Sequence, residues 1–166
     1  MNKVWIAFER DSGVVPWLIR KFTGFKYNHV LFLYESADWG GEWTFESVYG
    51  RGVRTVPLRA TRKIHERYLV KYDIAPDIRA NQELFLQQYD LLGLILFGVW
   101  ILLKSATRLR LSFNGLKLKG QTCSEVLATV LRNRFYAELE FPQWVNPKDI
   151  WNLMQFRPDD FEKVDG

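Results

Sequence analysis

Apolar and polar positions change their period midway along the chain. Residues 4–8, Val-Trp-Ile-Ala-Phe, form a short apolar run that predicts a buried strand, broken by Asp11-Ser12-Gly13. From Pro16 to Phe22 the spacing of Trp17, Leu18 and Phe22 predicts a short helix with proline near its first turn, closed by Gly24. Residues 28–35, with His-Val-Leu-Phe-Leu-Tyr at their centre, predict a second strand, and Asp38-Trp39-Gly40-Gly41 a hairpin turn after it. Residues 43–47 and 52–58 alternate well enough for two more strands, separated by Gly50-Arg51-Gly52, and residues 68–74 predict another, ended by Pro76. The first half is therefore mainly β.

The second half reads as helical. A helix beginning at Asn81 leads through Tyr89 into residues 91–103, an uncharged run that opens at Leu91 and closes at Leu103. A bilayer span needs about 20 apolar residues, so this run predicts a buried core helix or a membrane-facing element, not a span of its own. Lys104, Arg108, Arg110, Lys117 and Lys119 follow with no acid among them, a composition that suits anionic headgroups as well as a solvated loop. Thr122 followed three residues later by Glu125 forms a capping box that opens an apolar helix reaching about Leu131. The acidic tail from Pro158 is expected to fray. The pattern as a whole predicts an α+β fold, with an antiparallel sheet of about five strands packed on helices. We expect one domain over residues 1–166, with residues 91–120 as an apolar and basic insertion within it.

Composition adds mostly exclusions. A chain of 166 residues with 48% apolar and 25% charged residues is an ordinary globular domain, neither disordered nor fibrous. A net charge of +4 is too small to argue for nucleic acid, and the basic residues are not interleaved with aromatics as single-strand binding would need. The opening apolar run is too short for a secretory signal, so a cytoplasmic location is expected, with the membrane surface as a further station. One cysteine and 2 histidines leave no multi-cysteine zinc site, and no metal or cofactor is expected.

The lone cysteine is the first candidate for chemistry. With Thr122 as the helix cap, Cys123 occupies the first helical position, where unpaired N–H groups and the positive end of the helix dipole favour a thiolate. A nucleophile of this kind needs a base, and the base an orienting partner. His29 lies on a rigid predicted strand, whereas His65 sits in the charged stretch from Arg62 to Arg67 and reads as a surface residue. Glu46 points away from Phe45 on its strand, and in a hairpin with residues 28–35 its carboxylate can reach His29.

The order His, then Glu, then Cys opening a helix resembles the permuted branch of the papain-like cysteine hydrolases. That branch includes NlpC-type cell-wall peptidases, the bacterial YiiX-like and YaeF-like proteins and the lecithin–retinol acyltransferases. The matching pieces are Asn28-His29-Val30-Leu31-Phe32-Leu33-Tyr34, then Phe45-Glu46-Ser47, Tyr89-Asp90-Leu91-Leu92-Gly93 and Thr122-Cys123-Ser124-Glu125. The resemblance implies a permuted papain-like fold, Cys123 as nucleophile, His29 as general base and acid, and Glu46 as orienter. It implies that Tyr89 and the Cys123 backbone N–H hold the oxyanion. Two features depart from it: residues 94–120 are longer and more apolar than it needs, and Thr122 stands where relatives often carry an aromatic.

The implied activity is acyl transfer or hydrolysis through a thioester, on an amide such as a cell-wall peptide bond in the bacterial or phage setting, or on an acyl ester or thioester. The partner is then a peptide or acyl substrate, with membrane-surface contact through residues 91–103 and Arg108 and Arg110. The alternative is a non-catalytic module of the same fold, working as a peripheral membrane or protein-interaction surface. Neither reading sets the oligomeric state.

Overall fold

In the computed structural model, residues 3–37, 40–74, 78, 122–135 and 145–164 are described below. They form an α+β fold with the element order β1 (Val4–Glu9), α1 (Val14–Thr23), β2 (His29–Glu35), β3 (Glu42–Val48), β4 (Gly52–Pro57), β5 (Ile64–Val70), α2 (Cys123–Phe135), α3 (Pro147–Phe156) and β6 (Phe161–Val164). The strands make one 6-stranded sheet in the order β4-β3-β2-β1-β5-β6, antiparallel throughout. The tight turns that the Gly-rich segments predict explain the hairpin at its centre, where the Ser36 N–H donates to the Gly41 carbonyl at 3.0 Å.

Alternation along the strands sorts the side chains onto two faces. One carries Ile6, Phe8, Val30, Phe32, Phe45, Val53 and Tyr68, and packs with Val126, Leu127, Val130 and Leu131 of α2 and Ile150, Leu153 and Met154 of α3. The other carries a smaller cluster of Trp5, Ala7, Leu31 and Leu33, covered by Leu58, Ile64, Leu69 and Val164. Burial on both faces explains why β1 and β2 are nearly continuous apolar runs.

The sheet is strongly curled. Arg67 on β5 donates to Glu42 on β3 at 2.8 Å, although two strands separate them in the sheet. In a flat sheet those strands would stand about 14 Å apart, so the face carrying the smaller cluster must be concave.

The helices end where local chemistry requires. Gly24, at φ 61°, takes the left-handed conformation that stops α1. The box predicted at the start of α2 is made: the Thr122 N–H donates to Glu125 Oε2 at 2.7 Å, and the Glu125 N–H to Thr122 Oγ1 at 3.4 Å. α2 is buried along most of its length, which marks a central helix.

Several boundaries differ from the sequence expectations. The sheet has six strands where about five were expected. β5 begins at Ile64, inside the charged stretch, because Glu66 and Arg67 are satisfied by Lys26 and Glu42 instead of water. The tail beyond Pro158 does not fray: Phe161 is buried and β6 pairs with β5. α3 is capped by Asn146 and Asp149 with Pro147 at its first turn, a start signal present in the sequence that the apolar pattern alone does not reveal. Tyr89, the apolar run 91–103, Arg108, Arg110 and the proposed insertion 91–120 lie outside the described residues. Among the described residues, no helix is long and apolar enough to cross a membrane.

Candidate active site

His29 opens β2 directly opposite Glu9 at the end of β1. Strand alternation places both, with Glu46 and its cross-strand partner Arg54, on the concave face. The hairpin of β2 and β3 therefore delivers Glu46 to His29, and Nε2 of the imidazole meets Glu46 Oε2 at 2.9 Å. That contact commits one ring nitrogen and leaves Nδ1 for another partner.

Cys123 supplies that partner. Its thiol interacts with the His29 side chain and the Val30 backbone, and its sulfur lies 3.8 Å from Ser124 Oγ. Three residues distant in sequence are thus joined in one line: sulfur, imidazole, carboxylate. α2 brings the thiol, β2 the imidazole and β3 the carboxylate.

The surroundings bias the protonation of each member. Burial alone would raise the Cys123 thiol, but the positive His29, its hydrogen bond, and those of Val30 and Ser124 outweigh burial and lower it. Burial opposes charge on His29 as well; the negative charge and hydrogen bond of Cys123, then those of Glu46, lift it to about 10. Glu46 is fully buried, yet His29 and Arg62 hold its carboxyl far below the usual carboxylate range against that burial. The surroundings thus favour moving the proton from thiol to imidazole, with a carboxylate behind the imidazole.

The carboxylate is itself clamped. Arg54 Nε and Nη2 donate to Glu46 Oε1 at 3.1 and 2.9 Å. Arg62 Nη2 donates both to Glu46 Oε2 and to Glu9 Oε2, the latter at 2.6 Å, and Arg62 Nε donates to Glu9 Oε1. Glu9, His29 and Glu46 are close enough together to suggest a cation site by residue type. The donor set does not fit one, because Arg54 and Arg62 already direct their positive N–H groups at the carboxylate oxygens. Sequence reading missed Glu9, Arg54 and Arg62. Arg54 could have been found as the residue facing Glu46 across the β3–β4 hairpin; Arg62 reaches in from a segment that reads as solvated surface.

The chain matches no protein-family model and no curated protein. The site therefore stands on its own geometry. His65 is exposed on β5, as its charged neighbourhood predicts, with its ring tilted against Tyr27 at 5.8 Å. A cleft of about 480 Å³ opens beside the triad, walled by α1, the β3–β4 hairpin and the segment after β4. His29 lines it; Cys123, only 3% exposed, does not.

Proposed function

We propose that this chain is a cysteine-dependent hydrolase or acyltransferase of the permuted papain-like type. The observation that carries the reading is the convergence of Cys123, His29 and the clamped, buried Glu46, with His29 Nε2 2.9 Å from Glu46 Oε2. A lone cysteine at a helix start is weak support; a cysteine whose imidazole partner has its second nitrogen on a buried carboxylate is the arrangement nucleophilic catalysis needs.

The Cys123 thiolate attacks the carbonyl carbon of an amide, ester or thioester, forming the C–S bond and pushing the carbonyl electrons onto oxygen. The backbone N–H of Cys123, in the first turn of α2, is the donor offered to the resulting oxyanion, with Tyr89 as the second donor that the family resemblance implies. Collapse of this intermediate breaks the bond to the leaving group, and the imidazolium of His29 donates its proton there. The thioester is then attacked by water or another acceptor, whose proton His29 removes. The acyl product leaves and the thiolate is restored. Glu46 keeps the imidazole oriented and favours its charged form throughout.

A non-catalytic module of the same fold is the second reading, and the burial of Cys123 favours it. The pH dependence of Cys123 alkylation by iodoacetamide, in the folded protein and in His29→Ala, separates the two. The enzyme reading expects an apparent thiol pKa well below the ~8.5 of a free cysteine, rising when His29 is removed. A thiol that is unreactive, or indifferent to His29, sinks it.

A further inference from the structure

The cleft beside His29 carries more positive charge than the triad uses. Four arginines line it: Arg51 in the β3–β4 turn, Arg54 on β4, and Arg59 and Arg62 in the segment leading to β5. Two are spoken for, since Arg54 and Arg62 are held by Glu46 and Glu9. Arg51 and Arg59 are exposed, and their guanidinium groups have no side-chain partner among the described residues. One acid, Asp11, also lines the cleft. Its carboxylate accepts from Asn28 Nδ2 at 3.4 Å, while Arg20 Nη1, a further positive group beside it, donates to the Asp11 backbone carbonyl at 2.6 Å and to Asn28 Oδ1 at 2.7 Å. The cleft is also lined by aliphatic side chains, Val15, Pro16 and Ile19 of α1 with Val48, Val56 and Pro57.

We propose that Arg51 and Arg59 form an anion subsite, so that the substrate carries a carboxylate or phosphate beside an aliphatic portion near its reacting carbonyl. The inference rests on the proposed function, because it deepens the same site by naming the substrate class. Three observations support it. The two guanidinium groups are unspent in a cleft that reaches the imidazole; the buried carboxylates Glu46 and Glu9 are already neutralised by other arginines; and aliphatic side chains line the same cleft. Guanidinium groups suit both candidate anions, because their forked N–H donors match carboxylate and phosphate oxygens.

The test compares two reagents on the same thiol. Iodoacetate is anionic and iodoacetamide neutral, and both alkylate Cys123 with loss of iodide, so their rate ratio reports how the cleft treats a carboxylate. The ratio should fall about tenfold in Arg51→Ala/Arg59→Ala and be largely kept in Arg51→Lys/Arg59→Lys, which retains the charges. Raised salt should lower it in the wild type and hardly at all in the alanine variant. Protection of Cys123 from iodoacetamide by hexanoate or by hexyl phosphate then tells carboxylate from phosphate. A ratio unchanged by the alanine pair, or no protection by either anion, overturns the subsite. Failure of the parent reading looks different: iodoacetamide itself would not react with Cys123. Calorimetric binding of hexyl phosphate to wild type and to the alanine pair would then still decide whether the arginines hold an anion.

Discussion

Glu46→Gln tests whether the buried carboxylate arms the thiol. The substitution preserves shape and removes the negative charge that His29, Arg54 and Arg62 all face. A hydrogen bond to a charged group contributes about 1.5–3 kcal/mol, and one pK unit corresponds to about 1.4 kcal/mol. Losing that contact should therefore lower the His29 pKa by about 1–2 units. The weaker imidazolium then stabilises the Cys123 thiolate less, so the acid limb of the iodoacetamide profile moves to higher pH, by at most the same amount. The His29 pKa also sets a stability window. It is about 10 in the folded chain against an ordinary 6.5. Its contribution is thus fully present below pH ~6.5 and is lost as pH rises through about 10. In Glu46→Gln the corresponding fall in Tm should be shallower and end at lower pH. Leaving two arginines facing a neutral amide should also cost about 3–5 kcal/mol, or roughly 10 °C in Tm for a domain of this size. The decisive control is the same substitution in a His29→Ala background, where the acid limb should not move. A folded Glu46→Gln protein with an unmoved acid limb refutes the orienting role.

Other substitutions probe the supports. Arg62→Met strips the buried Glu9 of its partner and Glu46 of one of two arginines. It should cost about 3–5 kcal/mol in denaturant unfolding, with a smaller shift of the acid limb than Glu46→Gln because Arg54 remains. Phe161→Ala removes a buried ring from β6 and should cost about 3–5 kcal/mol; a loss within ~0.5 kcal/mol would mean the C-terminal strand does not dock. Glu66 is pulled down to about 2, since hydrogen bonds from Lys26 and Trp151 outweigh its burial. Its stabilisation is present above pH ~4.5 and lost as pH falls through about 2, so Glu66→Gln should flatten the acid side of a Tm–pH curve.

How far these features were legible depends on range. The strands around His29 and Glu46 and the capping box at Cys123 follow from local pattern, because each is specified by neighbours a few residues away. The meeting of Glu46 with His29 follows from one further step, a hairpin. Arg62 and Glu9 were not legible: they meet because β5 pairs with β1, and that pairing joins segments 53 residues apart that no local pattern links. The start of β5 at Ile64 was missed for the same reason. Its charges are neutralised by residues far away in sequence, so polarity there does not signal a loop. α3 was missed for a local reason, since its Asn-Pro-Lys-Asp start is a cap signal with only a short apolar stripe behind it.

The division of the triad between two ends of the sequence has a consequence for the growing chain. His29, Glu46 and their arginine clamp belong to one run of strands and turns that emerges first from the ribosome. The sulfur arrives later, on a helix whose place is against that finished sheet. Until the helix docks, Cys123 has no imidazole beside it and behaves as an ordinary thiol, largely protonated at neutral pH. On the proposed reading, the nucleophile therefore becomes reactive only once the helix has docked. Completion of the fold is itself the safety catch.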